Sequence, residues 1–319
     1  MKLNQQSIRE TIVGPVFSIL TPFDPETEEI DYPALEKYIG AIHDAGGKVF
    51  YVMAYNSRYS QLDFEEIKEL NAFVAKKVKA LDETHVVIVG DPPHCSTKTT
   101  IDFVNAAIES GADMVSLLVR ERYYSAEQIY KHYAMVAEET GANILIHEMP
   151  FLCGYGGPSV QWPIELLDRL ADIPEIIAIK EDAKDDEYSD EVVAALNDRL
   201  SIIISGGDQS QWLQFVDKGC QSWLIGVGVF EPQLATNFYR WWKDGKTELC
   251  DRLIEEVQKP FFEECVKPFG WHLSIKAALE ARGYMSRHDR MPLMPLSQGE
   301  ADAVAASLAK MPIDELLSQ

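Results

Sequence analysis

The chain has 319 residues, 46% of them hydrophobic and 25% charged, an ordinary globular balance that suits one barrel-sized domain or two smaller ones. Its 29 basic residues against 51 acidic ones leave a net charge of −22, and no basic patch tracks phosphates, which speaks against nucleic acid and anionic membranes as partners. No apolar leader and no run of about 18 apolar residues occurs, and the five scattered cysteines lack zinc-ligand spacing, so the sequence predicts a cytoplasmic protein with reduced thiols.

In chain order, short apolar runs alternate with helical patterns. The runs cover residues 16–20, 49–53, 86–89, 114–118, 143–147, 176–180, 201–205 and 222–225. Their spacing is that of βα units, and their continuous apolar character predicts strands buried on both faces. Between them, Leu35, Tyr38, Ile39 and Ile42 form one helical stripe. Asp63 with Glu66 resembles a capping box ahead of Ile67, Leu70, Val74 and Val78. Ile101, Val104 and Ile108 give another stripe, and Ser125 with Gln128 caps a helix carrying Ile129, Tyr133, Val136 and Ala137. Eight strand–helix units predict a (β/α)8 TIM barrel over residues 1–230. A doubly wound sheet would call for GxGxxG after the first strand, and none is there. Residues 231–319 read as a C-terminal helical extension packed on the barrel, with a last helix over 300–310.

In this architecture the active site lies at the C-terminal ends of the strands. The run IIAIK ends in Lys180. Alternation places Lys180, Ala178 and Ile176 on the inner face and Ile177 and Ile179 on the outer one. An amine in the barrel mouth is desolvated, its pKa falls, and the neutral form attacks a ketone to give a Schiff base. The plain alternative is a strand-end lysine paired with Glu181 or Asp182. His147 ends ILIH with the same inward parity, beside Lys180 on the next strand, and an imidazole suits proton transfer at neutral pH. Glu148 points the other way, so His147 and Glu148 are poorly placed to share a metal.

Four segments carry a family resemblance: IIAIKED around Lys180, VFSILTPFD (16–24), ERYYSAEQIYKHY (121–133) and ISGGDQSQWLQFVDKGCQSWLIGVGVFEP (204–232). Over about residues 12–300 the chain resembles the dihydrodipicolinate synthase / N-acetylneuraminate lyase family of Schiff-base barrels. The resemblance implies that Lys180 is the Schiff-base lysine and that Gly206 and Gly226 lie in the turns after strands 7 and 8. It also implies that a tyrosine of the Tyr123-Tyr124 pair reaches a neighbouring subunit's site, in a homodimer or homotetramer.

Three departures fall at the chemistry. His147 stands in HEMP where the family keeps the proton-shuttling tyrosine of YNxP. The segment Ala54-Tyr55-Asn56-Ser57-Arg58 replaces GTTGE, whose threonines and amides hold the substrate carboxylate. Leu152 stands where the synthases carry an arginine for the aldehyde substrate. The expected function is therefore a Schiff-base lyase or aldolase acting on a pyruvate-type 2-oxo acid, not dihydrodipicolinate synthesis. Lys180 and His147 are its central catalytic groups, with Tyr55 or Tyr124 assisting. Asn56, Ser57 and Arg58 are expected to hold the carboxylate, with Leu152, Gly206 and Gly226 lining the site, and neither cofactor nor metal is called for. The same imine would serve a dehydratase or hydratase of a sugar-derived or aromatic 2-oxo acid. The altered motifs also fit a lapsed barrel that binds ligands. The Gly-rich turns after strands 7 and 8 suggest phosphate, but Asp208 and the lack of a nearby cation count against it.

Overall fold

A computed structural model describes residues 3–119, 124–149, 161–204 and 209–319. Leu152, Gly206, Asp208 and Tyr123 lie outside the described residues. Eight strands run β1 (Gly14–Ser18), β2 (Val49–Val52), β3 (Val86–Gly90) and β4 (Met114–Leu117), then β5 (Ile144–Glu148), β6 (Ile176–Glu181), β7 (Ser201–Ile204) and β8 (Ser222–Leu224). All neighbours are parallel, and β1 pairs with β8 from Gly14 opposite Ser222 to Val16 opposite Leu224, which closes the barrel. The observed architecture is the expected TIM barrel with C-terminal helices.

The continuous apolar runs follow from two buried faces. Inside the barrel, Val49, Tyr51, Ile88, Leu145, Ala178 and Ile203 fill a separate core. Their neighbours Phe50, Val52, Val87, Ile146, Ile179 and Ile202 face the helices. One detail departs from simple alternation. The β5–β6 register passes from Ile144↔Ile176 to Leu145↔Ala178, so Ile177 is an extra residue in β6. Ile176 consequently packs outside and Ile177 inside, the reverse of the sequence expectation. Beyond the bulge the expected parity holds, and His147 is opposite Lys180.

The helices that wall the barrel begin with α1 (Gln5–Thr11) and α2 (Tyr32–Asp44), which buries Leu35, Tyr38, Ile39 and Ile42 as its stripe predicts. Helix α3 (Phe64–Leu81) starts with the Asp63–Glu66 capping box, and α4 (Thr97–Glu109) follows β3. Phe103 and Ala107 join Val104 in the core, whereas Ile101 and Ile108 are only half-buried, so this helix is rotated from the predicted stripe. Helix α5 (Ala126–Thr140) carries the Ser125–Gln128 box. Then come α6 (Ile164–Ala171), α7 (Asp186–Leu196), α8 (Gln209–Phe215) and α9 (Pro232–Lys243). Helix α9 lies so close to β1 that a Cβ at Gly14, whose φ is 79°, would stand 3.0 Å from the Tyr239 ring. Trp212 and Trp223 (centroids 4.5 Å apart) and Phe238 join α8, β8 and α9 in an aromatic cluster.

Beyond α9 the chain continues as helix. The tripeptide Lys-Pro-Phe occurs at 259–261 and again at 267–269, and each copy follows a π-helical turn, Ile254–Gln258 and Phe262–Val266. A proline ring collides with the carbonyl four residues back in an α-helix, and the wider π turn moves that carbonyl aside. The helix Trp271–Ala281 packs against Gln298–Leu308. The latter begins two residues before the expected 300, because Ser297 is its cap and Glu300 is the third helical residue that closes the capping box. Among the described residues no helix is long and apolar enough to cross a membrane.

Candidate active site

Lys180 occupies the penultimate position of β6 and is fully buried. Its Nζ lies 2.8 Å from Asp182 Oδ2, a close ion pair without hydrogen-bond alignment. Lys184 approaches the other oxygen of the same carboxylate, also at 2.8 Å. Burial lowers the Lys180 amine below the ordinary lysine value, and the charge of Asp182 opposes that shift. Burial alone would raise Asp182, but Lys180 and Lys184 outweigh it and hold the carboxyl well below its usual range.

His147 stands beside Lys180 on β5 and is likewise buried. Burial, reinforced by the Lys180 charge, pushes its imidazole down to about 3, so the ring is neutral at pH 7. Its Nδ1 is 3.2 Å from the Tyr51 hydroxyl, which is 2.6 Å from Ser116 Oγ. Its Nε2 is buried with no partner among the described residues. The Ser116–Tyr51–His147 chain serves either tautomer. When Tyr51 donates to Ser116, Nδ1–H donates to the tyrosine oxygen and Nε2 is a base; when Ser116 donates, Tyr51 donates to Nδ1 and Nε2–H is an acid. Burial keeps the Tyr51 hydroxyl protonated, its pKa raised well above the ordinary tyrosine value.

Glu148 and Glu181 are opposite each other one residue further on, facing the helices. Glu181 accepts from Ala183 N (2.5 Å) and Ser189 Oγ (2.6 Å). Glu148 accepts from Trp162 N (3.3 Å), and burial together with Glu181 pushes it up to about 8. The adjacent His147 and Glu148 thus serve opposite faces of the sheet.

A cavity of about 390 Å³ covers this end of the barrel. Asp182 and Lys184 line it, with Tyr55, Asn56 and Gly226 from the expected set. Gly226, at φ 50°, turns the chain out of β8 into a short 3₁₀ segment, a backbone shape that favours glycine. A larger hollow of about 480 Å³ lies beside α1 and the start of β7, at the opposite end of the barrel from Lys180.

The turn that replaces GTTGE divides its residues. Asn56 Nδ2 donates to Ser18 Oγ at 2.9 Å while its amide borders the cavity. Ser57 Oγ instead donates to the Ile19 carbonyl (2.5 Å), and Thr21 Oγ1 donates to the Ser57 carbonyl (2.6 Å), tying the turn to the end of β1. Arg58 has left-handed backbone, φ 61°, and its guanidinium is buried away from the cavity. Nε donates to Asp289 (2.9 Å) and Nη2 to the His272 carbonyl (2.9 Å). Lys276, on the same helix as His272, donates to the Thr21 carbonyl at 3.0 Å. Tyr124 is 39% exposed and lines a separate cavity of about 240 Å³ with Asp91, Cys95 and His132, apart from Lys180 in its own chain.

The sequence reading passed over Tyr51 and Ser116, and it saw Asp182 only as a pairing partner. Asp182 was accessible to the alternation rule, being two residues past Lys180. Tyr51 sits inside an apolar run and carries no such signal. Phe262, Trp271 and His272 come to the cavity from the C-terminal extension, which no local pattern reveals.

A family model described as the Dihydrodipicolinate synthetase family matches residues 12–311. Over 300 residues the chain is 27% identical to the 4-hydroxy-tetrahydrodipicolinate synthase of Thermodesulfovibrio yellowstonii, covering 92% of this chain and 97% of that one. It is 25% identical over 281 residues to an uncharacterized DapA-like lyase of Thermococcus onnurineus, covering 85% and 89%. Among solved structures, dihydrodipicolinate synthase from Oceanobacillus iheyensis superposes with a TM-score of 0.82 at 20% identity, covering 96% and 98%. A prophage protein of the dihydrodipicolinic acid synthase family from E. coli K12, solved in complex with pyruvate, gives 0.79 at 21% identity, covering 93% and 97%. With nearly its full length matched by the family model and its barrel shared with these structures, the chain belongs to the dihydrodipicolinate synthetase family.

Proposed function

We propose that this protein is a class I lyase or aldolase that forms a Schiff base between Lys180 and a pyruvate-type 2-oxo acid. The observation that carries this reading is the pairing in register of two buried groups, the Lys180 amine and the neutral His147 ring, whose Nε2 has no partner among the described residues; Lys180 in turn touches Asp182, which lines the cavity. Family membership supports it, as does the complex of the E. coli relative with pyruvate.

In this mechanism burial favours loss of the Lys180 ammonium proton to water in the cavity, Asp182 stays ionised beside it, and the neutral amine adds to the substrate ketone. Loss of water gives an iminium that draws electrons from the neighbouring C–C or C–H bond, so no further electron sink is needed. Nε2 of His147 moves the proton at the hydroxyl or carbonyl oxygen where the C–C bond breaks or forms, with the Tyr51–Ser116 chain resetting its tautomer. The Asn56 amide, with one N–H held by Ser18 and one to spare, receives the substrate carboxylate beside Tyr55. Arg58 and Ser57 hold the turn in place and do not touch substrate. Leu152, in place of an arginine, argues against dihydrodipicolinate synthesis. Exposed Tyr124 fits a surface covered by a second copy.

The test is exchange of the pyruvate methyl protons in D2O, followed by NMR, since an enamine releases and recovers a proton at that carbon. The wild type is expected to wash out the methyl signal and Lys180→Ala to leave it intact. Equal behaviour of the two proteins would refute the imine.

A further inference from the structure

The chemistry of the cavity wall extends this reading to the substrate's other half. Six described residues above the barrel mouth present carbon or sulfur: Met53, Met149, Leu224, Val229, Phe262 and Trp271. Phe262 and Trp271 stack on each other, with centroids 5.7 Å apart and planes 23° apart. Phe262 opens the second π-helical turn and Trp271 opens the helix Trp271–Ala281, so the extension brings an aromatic pair to the cavity.

Several polar groups of the wall already have partners within the protein. Asp182 lies between Lys180 and Lys184. Asn56 gives one N–H to Ser18. The His272 ring is 3.1 Å from the Arg58 guanidinium. A polyhydroxylated chain would surrender hydrogen bonds to water at each hydroxyl and find few replacements here. An apolar ring would gain burial and stacking. The volume of about 390 Å³ falls within the range of roughly 300–1,000 Å³ usual for small-molecule sites.

We propose that the substrate beyond its 2-oxo acid carries an apolar aromatic group, seated against Phe262, Trp271 and Met149, in preference to a sugar-like polyol. This rests on the lysine-imine reading. In the condensing direction, C3 of the pyruvate enamine bonds to the carbonyl carbon of an aromatic aldehyde. The aldehyde oxygen takes a proton and becomes a hydroxyl, and water then hydrolyses the imine to free Lys180 and a 4-hydroxy-2-oxo acid. Cleavage is the same sequence reversed.

The experiment measures pyruvate consumption by the wild-type protein with benzaldehyde or with glyceraldehyde, alongside the methyl-exchange assay. The expected result is a kcat/KM for benzaldehyde roughly ten- to a hundredfold above that for glyceraldehyde. Phe262→Leu, which keeps bulk but removes the ring, is expected to lower that ratio severalfold. Methyl exchange with glyceraldehyde equal or preferred, or with neither aldehyde consumed, overturns the aromatic assignment alone. Absence of exchange overturns the imine reading and this inference with it. An unchanged ratio in Phe262→Leu contradicts the seat at that ring.

Discussion

His147 is the residue at which this chain parts most clearly from its family's motif. A buried neutral imidazole is a weaker acid than an imidazolium, but it can accept at one nitrogen while donating at the other. His147→Ala is therefore expected to lower kcat about 10²–10⁴-fold, the usual yield of general acid–base catalysis, while Lys180 still forms the imine. His147→Tyr should recover part of that loss, because a phenol in this place reaches the same substrate oxygen. Stopped-flow or steady-state rates decide this, and an unchanged kcat in His147→Ala would remove the histidine from the mechanism. The inward parity of Lys180 and His147 was legible because the register from Leu145↔Ala178 to His147↔Lys180 is regular and side chains alternate along it. Ile176 and Ile177 were not, since the bulge between them leaves no mark in a run of apolar residues.

At the scale of elements, the turn after β2 is held by partners far away in sequence. Arg58 reaches Asp289, 231 residues on, and both side chains are almost wholly buried. Read alone, an arginine beside the expected carboxylate loop looks like an anion binder. Only the folded chain shows that its anion is supplied by the extension. Asp289→Ala would strand the guanidinium without its anion, and breaking a buried pair in this way costs about 3–5 kcal/mol. Urea unfolding should show a lower midpoint of that order. The turn carrying Tyr55 and Asn56 should also loosen, raising KM for the 2-oxo acid more than it lowers kcat. A change below about 0.5 kcal/mol, the usual scale of a surface substitution, would contradict the clamp.

For the whole molecule, the barrel and its helical walls were legible because period-2 and period-3.6 patterns alternate eight times. The extension's share in the site was not, since no local pattern marks which of its residues meet the cavity. Burial of ionisable groups also gives the molecule a pH profile. Glu148 is raised from its ordinary value to about 8 in the fold, so the folded chain binds the extra proton between those limits. Its contribution to stability is complete below the unfolded pKa of about 4.3 and is lost as pH rises through about 8. Glu148→Gln keeps the shape without the charge. Its melting temperature relative to wild type should climb between pH 5 and pH 9, and a flat difference would contradict the buried acid. His147 acts in the opposite sense, its lowered value costing stability as pH falls from about 6.5 toward about 3.

The central claim is the covalent lysine, and the most direct measurement is reductive trapping. Wild-type protein incubated with pyruvate, reduced with borohydride and digested should carry the reduced adduct on the peptide containing Lys180, with none in Lys180→Ala. No adduct with pyruvate or other 2-oxo acids, or an adduct mapped to Lys184 or Lys276 instead, would contradict the account.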